Sequence, residues 1–254
     1  MSYNFIKVKN EAGLITITLN KPPLNVITIP MLAELADAFA WTKQEPAKLI
    51  LLNAEGKAFS AGVDVADHTP DKVNKMIETL DRLFINMYEN EKPIVAAVHG
   101  LVLGGGYEVV MTCDMVVASE KARFGQPEIA VGVFPPTAVV WLPHLTRMPH
   151  VMEVVLSGEI FDAAKADKLG LVNAVLPADS FEAGVQKFLQ KFMTMSPVVL
   201  ACTKKAIKAG LNKGFVEGLK AIDNIYLNEL MATADAKEGL AAFMEKRQPV
   251  WQGK

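Results

Sequence analysis

The sequence predicts an α/β core followed by a helical C-terminal region, and three observations carry that prediction. Short continuous apolar runs at residues 49–52, 94–98 and 115–118 have the pattern of strands buried on both faces. Stretches with helical spacing of apolar residues fall between them. After about residue 143 the alternation gives way to helical segments, with a single strand-like run at 171–176.

Residues 5–9 and 14–19 alternate apolar and polar side chains around Glu11-Ala12-Gly13, which reads as a hairpin with one wet face. Thr28 stands as an N-cap with Pro30 in the first turn. Met31, Leu32, Leu35, Ala36 and Phe39 then follow on one helical face. Thr69, Pro70 and Asp71 read as the opening of the next helix: a cap, a first-turn proline and an acid near the positive dipole end. Its inner stripe is Val73, Met76, Ile77, Leu80, Leu83, Phe84 and Met87. Pro93 punctuates before the run at 94–98, and Gly104-Gly105-Gly106 leads into a further helix. Helical segments at 151–156, 163–169, 181–195, 197–209 and 214–232 complete the chain. The expected division is an α/β core over residues 1–195 and a helical region over 196–254, with no long linker, low-complexity stretch or internal repeat.

At 254 residues and 51% hydrophobic content, the chain suffices for one substantial core or a core plus a small appendage. Its net charge is −2, with 26 basic and 28 acidic residues intermingled, which gives no basic stripe for a nucleic acid. Cys113 and Cys202 stand far apart in apolar contexts, so a reduced compartment is expected and a disulfide framework is not. The first residues carry no apolar signal core or Arg-rich presequence. No apolar run approaches the ~20 residues that span a bilayer. A cytoplasmic protein without membrane partners is the expectation. His68, His99, His144 and His150 lack ligand spacing, so they read as structural or surface groups and no metal site is expected.

Three stretches carry candidate chemistry. Residues 57–64 put small side chains after a buried strand, where a ligand can approach main-chain N–H groups closely; an ordinary surface loop has the same composition. Residues 99–108 place three glycines between a strand and a helix. That arrangement either holds an oxyanion on free N–H groups or makes a tight turn, and the entropic cost of three glycines favours the first. It is neither the G-x-G-x-x-G pattern of dinucleotide sites nor a phosphate loop. Glu108, inside the helix that follows, is either a dipole partner or a desolvated acid or base. Glu128, between Pro127 and the apolar run that begins at Ile129, has the setting that raises a carboxyl pKa.

Together these residues resemble the crotonase, or enoyl-CoA hydratase/isomerase, superfamily over essentially the whole chain. Ala58-Phe59-Ser60-Ala61-Gly62-Val63-Asp64-Val65 resembles its first oxyanion-hole loop. Residues 100–108 resemble the second, and residues 122–129 the segment with the second catalytic acid. Residues 163–173, Ser196-Pro197 and Thr203-Lys204-Lys205-Ala206-Ile207 resemble later elements. The resemblance implies a spiral of ββα units with a helical C-terminal region that builds a trimer, often doubled to a hexamer. It implies that the amides of Val63 and Gly105 bind a thioester oxygen. Glu108 then activates water and Glu128 protonates Cα, while Leu24, Ala61, Asp64 and Val65 contact CoA. CoA belongs to the substrate, and no separate cofactor is implied. Where the family commonly continues with Pro-Gly-x-Gly-Gly after the second acid, this chain has the bulkier residues 132–143. Residues 60–72 and 132–136 resemble hydratases of cyclohexa-1,5-diene-1-carbonyl-CoA, so an acyl pocket lined by Phe134, Trp141 and Phe84 is expected. Core packing is the plainer role for those three rings.

Overall fold

In the computed structural model, which describes residues 3–254, β1 (Ile6–Glu11) and β2 (Leu14–Leu19) form an antiparallel hairpin. Met1 and Ser2, at the head of the segment read for targeting signals, lie outside the described residues. Ala12 and Gly13 turn the hairpin at positive φ. Ile15, Ile17 and Leu19 of β2 point inward, as the period-two pattern requires. Helix α1 (Ile29–Thr42) follows with Thr28 at its N-cap. The Thr28 hydroxyl makes no capping bond; the Asp67 carboxylate instead accepts from Ile29 N–H at 3.0 Å.

Next come β3 (Leu49–Ala54), α2 (Val73–Tyr88), β4 (Ile94–Val98), β5 (Leu101–Leu103), α3 (Gly105–Met111), β6 (Met115–Ser119) and β7 (Arg123–Gly125). Helix α2 begins later than its sequence signals suggest. The Thr69 carbonyl accepts the amides of both Lys72 and Val73, which makes residues 69–72 a separate turn. Then follow α4 (Pro136–Leu145), α5 (Met148–Ser157), β8 (Phe161–Asp162), α6 (Ala163–Lys168) and β9 (Ala174–Leu176). The chain ends with α7 (Phe181–Met193), α8 (Pro197–Gly210), α9 (Phe215–Asn224), a π-helical turn (Ile225–Leu230) and α10 (Ala234–Met244).

Six strands make one sheet in the order β1-β2-β3-β4-β6-β9, parallel except for the hairpin. Three short strands make a second sheet, β5-β7-β8. The chain therefore steps from the large sheet to the small one at β4–β5 and again at β6–β7. Each step brings a loop to the edge where the two sheets meet.

The continuous apolar runs are explained by two-sided burial. Ile50, Leu52, Ile94, Ala96 and Val98 pack into the main cluster with α1, α2 and α3. Leu49, Leu51, Val95, Ala97 and Val117 face the other way, onto Val185, Phe188 and Leu189 of α7. The helical C-terminal region is tied back by polar groups. Lys204 Nζ reaches Asp114 Oδ2 at 2.5 Å and the Lys92 carbonyl at 2.9 Å. Asp235, fully buried, accepts from Ser196 Oγ (2.6 Å) and from the amides of Gln252 (2.7 Å) and Gly253 (3.0 Å). Among the described residues no helix is long and apolar enough to cross a membrane.

Candidate active site

The first loop owes its shape to residues 24–27 running beside 61–64. Ala61 N–H donates to the Leu24 carbonyl, Ile27 N–H to the Gly62 carbonyl and Asp64 N–H to the Ile27 carbonyl. This is a parallel bridge between Ile27 and Val63. Ile27 spends its own N–H and C=O on Gly62 and Asp64, so the Val63 amide points away from that partner. It donates to no group among the described residues. Buried Asn25 and Ser60 lock the loop: Asn25 Nδ2 donates to the Glu55 and Ala58 carbonyls, Ser60 Oγ donates to the Asn25 carbonyl, and Gly62 N–H donates to Ser60 Oγ.

The second loop lies directly against the first, and its glycines are there for space. A Cβ on Gly105 would stand 2.4 Å from Val63 Cγ2 and 3.6 Å from Val63 N; one on Gly106 would stand 2.5 Å from Ser60 Cβ. Gly104 adopts φ +51°, and a Cβ there would meet Glu128 Oε1 at 2.8 Å and Gly62 Cα at 3.7 Å. Gly105 N–H, at the first position of α3, also donates to no group among the described residues. The structure thus brings Val63, Gly105 and Glu128 into one locality.

Glu108 joins them from α3. It is 2% exposed, and its Oε1 accepts from the amides of Thr137 (2.7 Å) and Ala138 (3.0 Å) at the start of α4. So it partners the dipole of α4 rather than that of its own helix. Burial pushes its pKa up to about 7; the Ala138 N–H pulls down, the charge of Glu128 pushes up, and the Thr137 N–H pulls down again. Glu128 sits in the 3-10 turn Pro127–Val131, and burial raises its pKa too, against its own backbone N–H and the charge of His68. With its amide turned to satisfy both groups, buried Gln126 donates to each Glu128 oxygen at 3.1 Å. The charge of Glu128 adds to the desolvation that already disfavours ionised Glu108, so the two carboxyls resist double ionisation.

The other site residues named from the sequence are placed less uniformly. Leu24 and Ala61 are joined by the bond given above, and Asp64 caps the 3-10 turn Val65–Asp67 by accepting from Ala66 N–H at 3.0 Å. Val65 is exposed. The three aromatic residues expected to share a pocket differ in burial. Phe84 is 8% exposed within the main core, whereas Phe134 is 63% exposed on the surface. Trp141 donates its indole N–H to the Met111 carbonyl at 2.7 Å and meets Tyr88 edge-on, centroids 5.7 Å apart. It lines a groove of about 380 Å³ with Tyr88, Leu145, Leu200 and Ile207, between α4 and α8. Sequence reasoning missed Asn25, Ser60, His68, Gln126 and the start of α4. Of these only the short run Pro135-Pro136, apt for a helix start, carried a local signal.

This frame, two sheets linked by short helices with both glycine-bearing loops at their junction, is that of a spiral α/β enzyme. The sequence profile described as "Enoyl-CoA hydratase/isomerase" matches residues 9–254, and the chain belongs to that family. It is 34% identical to a cyclohexa-1,5-dienecarbonyl-CoA hydratase of Thauera aromatica, covering 97% of this chain and 96% of that protein. It is also 34% identical to a probable enoyl-CoA hydratase of Rhizobium meliloti, covering 98% of each. Among solved structures, an enoyl-CoA hydratase subunit of Geobacillus kaustophilus superposes with a TM-score of 0.92 at 30% identity, covering 99% of both chains. An enoyl-CoA hydratase of Mycobacterium smegmatis gives 0.92 at 27% identity, covering 98% of this chain and 99% of that one.

Proposed function

We propose that this enzyme adds water across the carbon–carbon double bond of an unsaturated CoA thioester, best a cyclic dienoyl thioester such as cyclohexa-1,5-diene-1-carbonyl-CoA. The observation that carries the reading is the meeting of two amides that have no acceptor among the described residues, Val63 and Gly105, with two desolvated carboxyls, Glu108 and Glu128. The amides polarise the thioester C=O and stabilise the enolate, a contribution of about 3–4 kcal/mol per donor. The carboxyls share one proton and orient one water. The water oxygen bonds to the carbon distal to the carbonyl, one carboxylate takes its proton, and the partner carboxyl delivers a proton to Cα. Leu24, Ala61, Asp64 and Val65 face the CoA portion, which is substrate and not a resident cofactor. Likeness to the Thauera enzyme and the bulky segment 132–143 support the cyclic substrate.

A panel of cyclic and linear CoA thioesters, followed at the absorbance of the conjugated thioester, tests this. Loss of that band with incorporation of solvent oxygen, fastest on the cyclic diene, is the expected result. Fastest turnover on a linear 2-enoyl thioester would replace the substrate assignment. Double-bond migration without oxygen uptake would make the enzyme an isomerase, and no turnover at all a binding subunit.

We further infer a homotrimer, or a hexamer of two such trimers, because large apolar side chains stand bare on the C-terminal region. Phe215, Phe243 and Met244 are 81%, 85% and 75% exposed. Analytical ultracentrifugation is expected to give three or six times the 27.6 kDa chain mass. A monomer at micromolar concentration would overturn this.

A further inference from the structure

The free N–H groups at the start of α4 all go to one atom. A helix leaves its first amides without intrahelical partners, and they point out from its N-terminal end. Here the N-cap is Pro135 and the first helical residue is Pro136, so the first two positions have no N–H to give. The next two, Thr137 and Ala138, both donate to Glu108 Oε1, at 2.7 and 3.0 Å. The Val139 amide is already taken within the helix, by the Pro135 carbonyl at 3.2 Å. Glu108 Oε1 therefore absorbs the whole donor capacity of this helix end, while Oε2 accepts from no group among the described residues. Nor is Oε2 sealed in: among the described residues the Tyr107 hydroxyl is the one fully buried side-chain polar atom without a partner. Gly104 joins this carboxyl to its neighbour. Its carbonyl accepts the Glu108 amide at 3.0 Å, and a Cβ on it would stand 2.8 Å from Glu128 Oε1.

We propose that Pro136 is a positioning residue of the carboxyl pair: lacking an N–H, it confines α4 to Glu108 Oε1 and leaves Oε2 as the oxygen that takes and gives the proton. The catalytic consequence rests on the hydratase reading; the hydrogen-bond geometry does not. An N–H at position 136 would point the same way as those of Thr137 and Ala138 and be the next donor in reach of the carboxylate. Oε1 already accepts two bonds, the number its lone pairs serve, which leaves Oε2 to accept a third.

The sign follows. A hydrogen bond to the ionised carboxylate favours that form, so a third amide makes Glu108 ionise at lower pH. Burial pushes its pKa up to about 7 against the pull of two amides, and a third adds to that pull. The other charge that acts on Glu108 is that of Glu128, from the 3-10 turn Pro127–Val131. Besides Glu108, α3 carries no titratable side chain but buried Tyr107; β5 carries none, and α4 only His144, at its far end. With the added donor the pair gives up its shared proton sooner, and the alkaline limb of the kcat/KM profile moves to lower pH.

The test compares Pro136→Ala with Pro136→Gly. Both restore the N–H, and alanine suits the first turn of a helix. Glycine also loosens the turn, so an effect of flexibility alone would appear in Pro136→Gly and not in Pro136→Ala. In protein labelled with ¹³C at the glutamate carboxyls, the Glu108 signal is assigned by its loss in Glu108→Gln and titrated by NMR. A Glu108 midpoint about 0.5–1 unit lower in both variants supports the proposal. The alkaline limb on whichever CoA thioester the parent enzyme hydrates should move with it, to about three- to tenfold lower kcat/KM on that limb. An unchanged or raised Glu108 midpoint in Pro136→Ala overturns the proposal, whatever Pro136→Gly does. So does a lowered midpoint with an unmoved limb. Should the parent enzyme hydrate no thioester, the hydratase reading falls while the NMR titration still decides this one.

Discussion

Glu108→Gln and Glu128→Gln are each expected to lower hydration by roughly 10²–10⁴-fold while thioester binding changes little. Gln keeps the shape and the acceptor oxygen: at position 108 its carbonyl still faces the Thr137 and Ala138 amides that now hold Oε1 at 2.7 and 3.0 Å. What it removes is the proton inventory. With one carboxyl gone, the pair no longer combines a base for water with an acid for Cα. Single-turnover kinetics and equilibrium binding of a CoA thioester separate the two effects, and normal turnover in both variants would refute the acid–base assignment.

The same substitution at Glu108 is expected to stabilise the fold in neutral to alkaline solution. The unfolded chain titrates this carboxyl near its ordinary value of 4.5, the folded chain at about 7. The folded state therefore holds the proton more tightly. Its stability is fully present below pH 4.5 and falls as pH rises through about 7, by about 3 kcal/mol in all. Gln cannot ionise and escapes that loss. Urea unfolding at pH 8 should give Glu108→Gln a higher midpoint than the parent, and at pH 4 the advantage should vanish. An inactive yet more stable variant is the signature of a carboxyl kept buried for chemistry.

How far the sequence reveals this site depends on whether a residue's neighbours lie close in the chain. The runs at 49–52, 94–98 and 115–118 became β3, β4 and β6 because two-sided burial leaves a local apolar signature. The glycine run at 104–106 was legible because space against Val63, Ser60 and Glu128 excludes side chains there. The small sheet was not legible: β5, β7 and β8 have three, three and two residues, too few for any period to show. Nor was α4, which carries Pro136 at its start and Pro143 within. Missing α4 hid the partner of Glu108, since that relationship spans elements that sequence spacing does not join. The aromatic residues at 84, 134 and 141 show the converse, since composition said they suit a flat ring but not where they point.

Gly105→Ala is expected to lower kcat/KM by about 10²-fold although its backbone suits alanine. Gly105 opens α3 in helical conformation and has no positive φ, so the added methyl costs nothing locally. The cost is spatial. The new Cβ falls 2.4 Å from Val63 Cγ2 and 3.4 Å from Val63 Cβ, so the Val63 side chain must rotate or its loop must retreat. Asn25 and Ser60 hold that loop from behind, which leaves the strain to act on the Val63 amide, 3.6 Å from the same point. Two donors that must converge on one oxygen tolerate little separation: a displacement of about 1 Å costs on the order of 10²-fold. The cause is separable from general damage by a second change. Val63→Ala alone removes Cγ2, leaves the amide in place and should change turnover less than tenfold. Combined with Gly105→Ala it removes the clash and should restore most of the lost rate, a coupling that only neighbouring groups show. Retention of full activity by Gly105→Ala alone, or a double variant no better than it, would mean that the distance between these two amides does not govern the reaction.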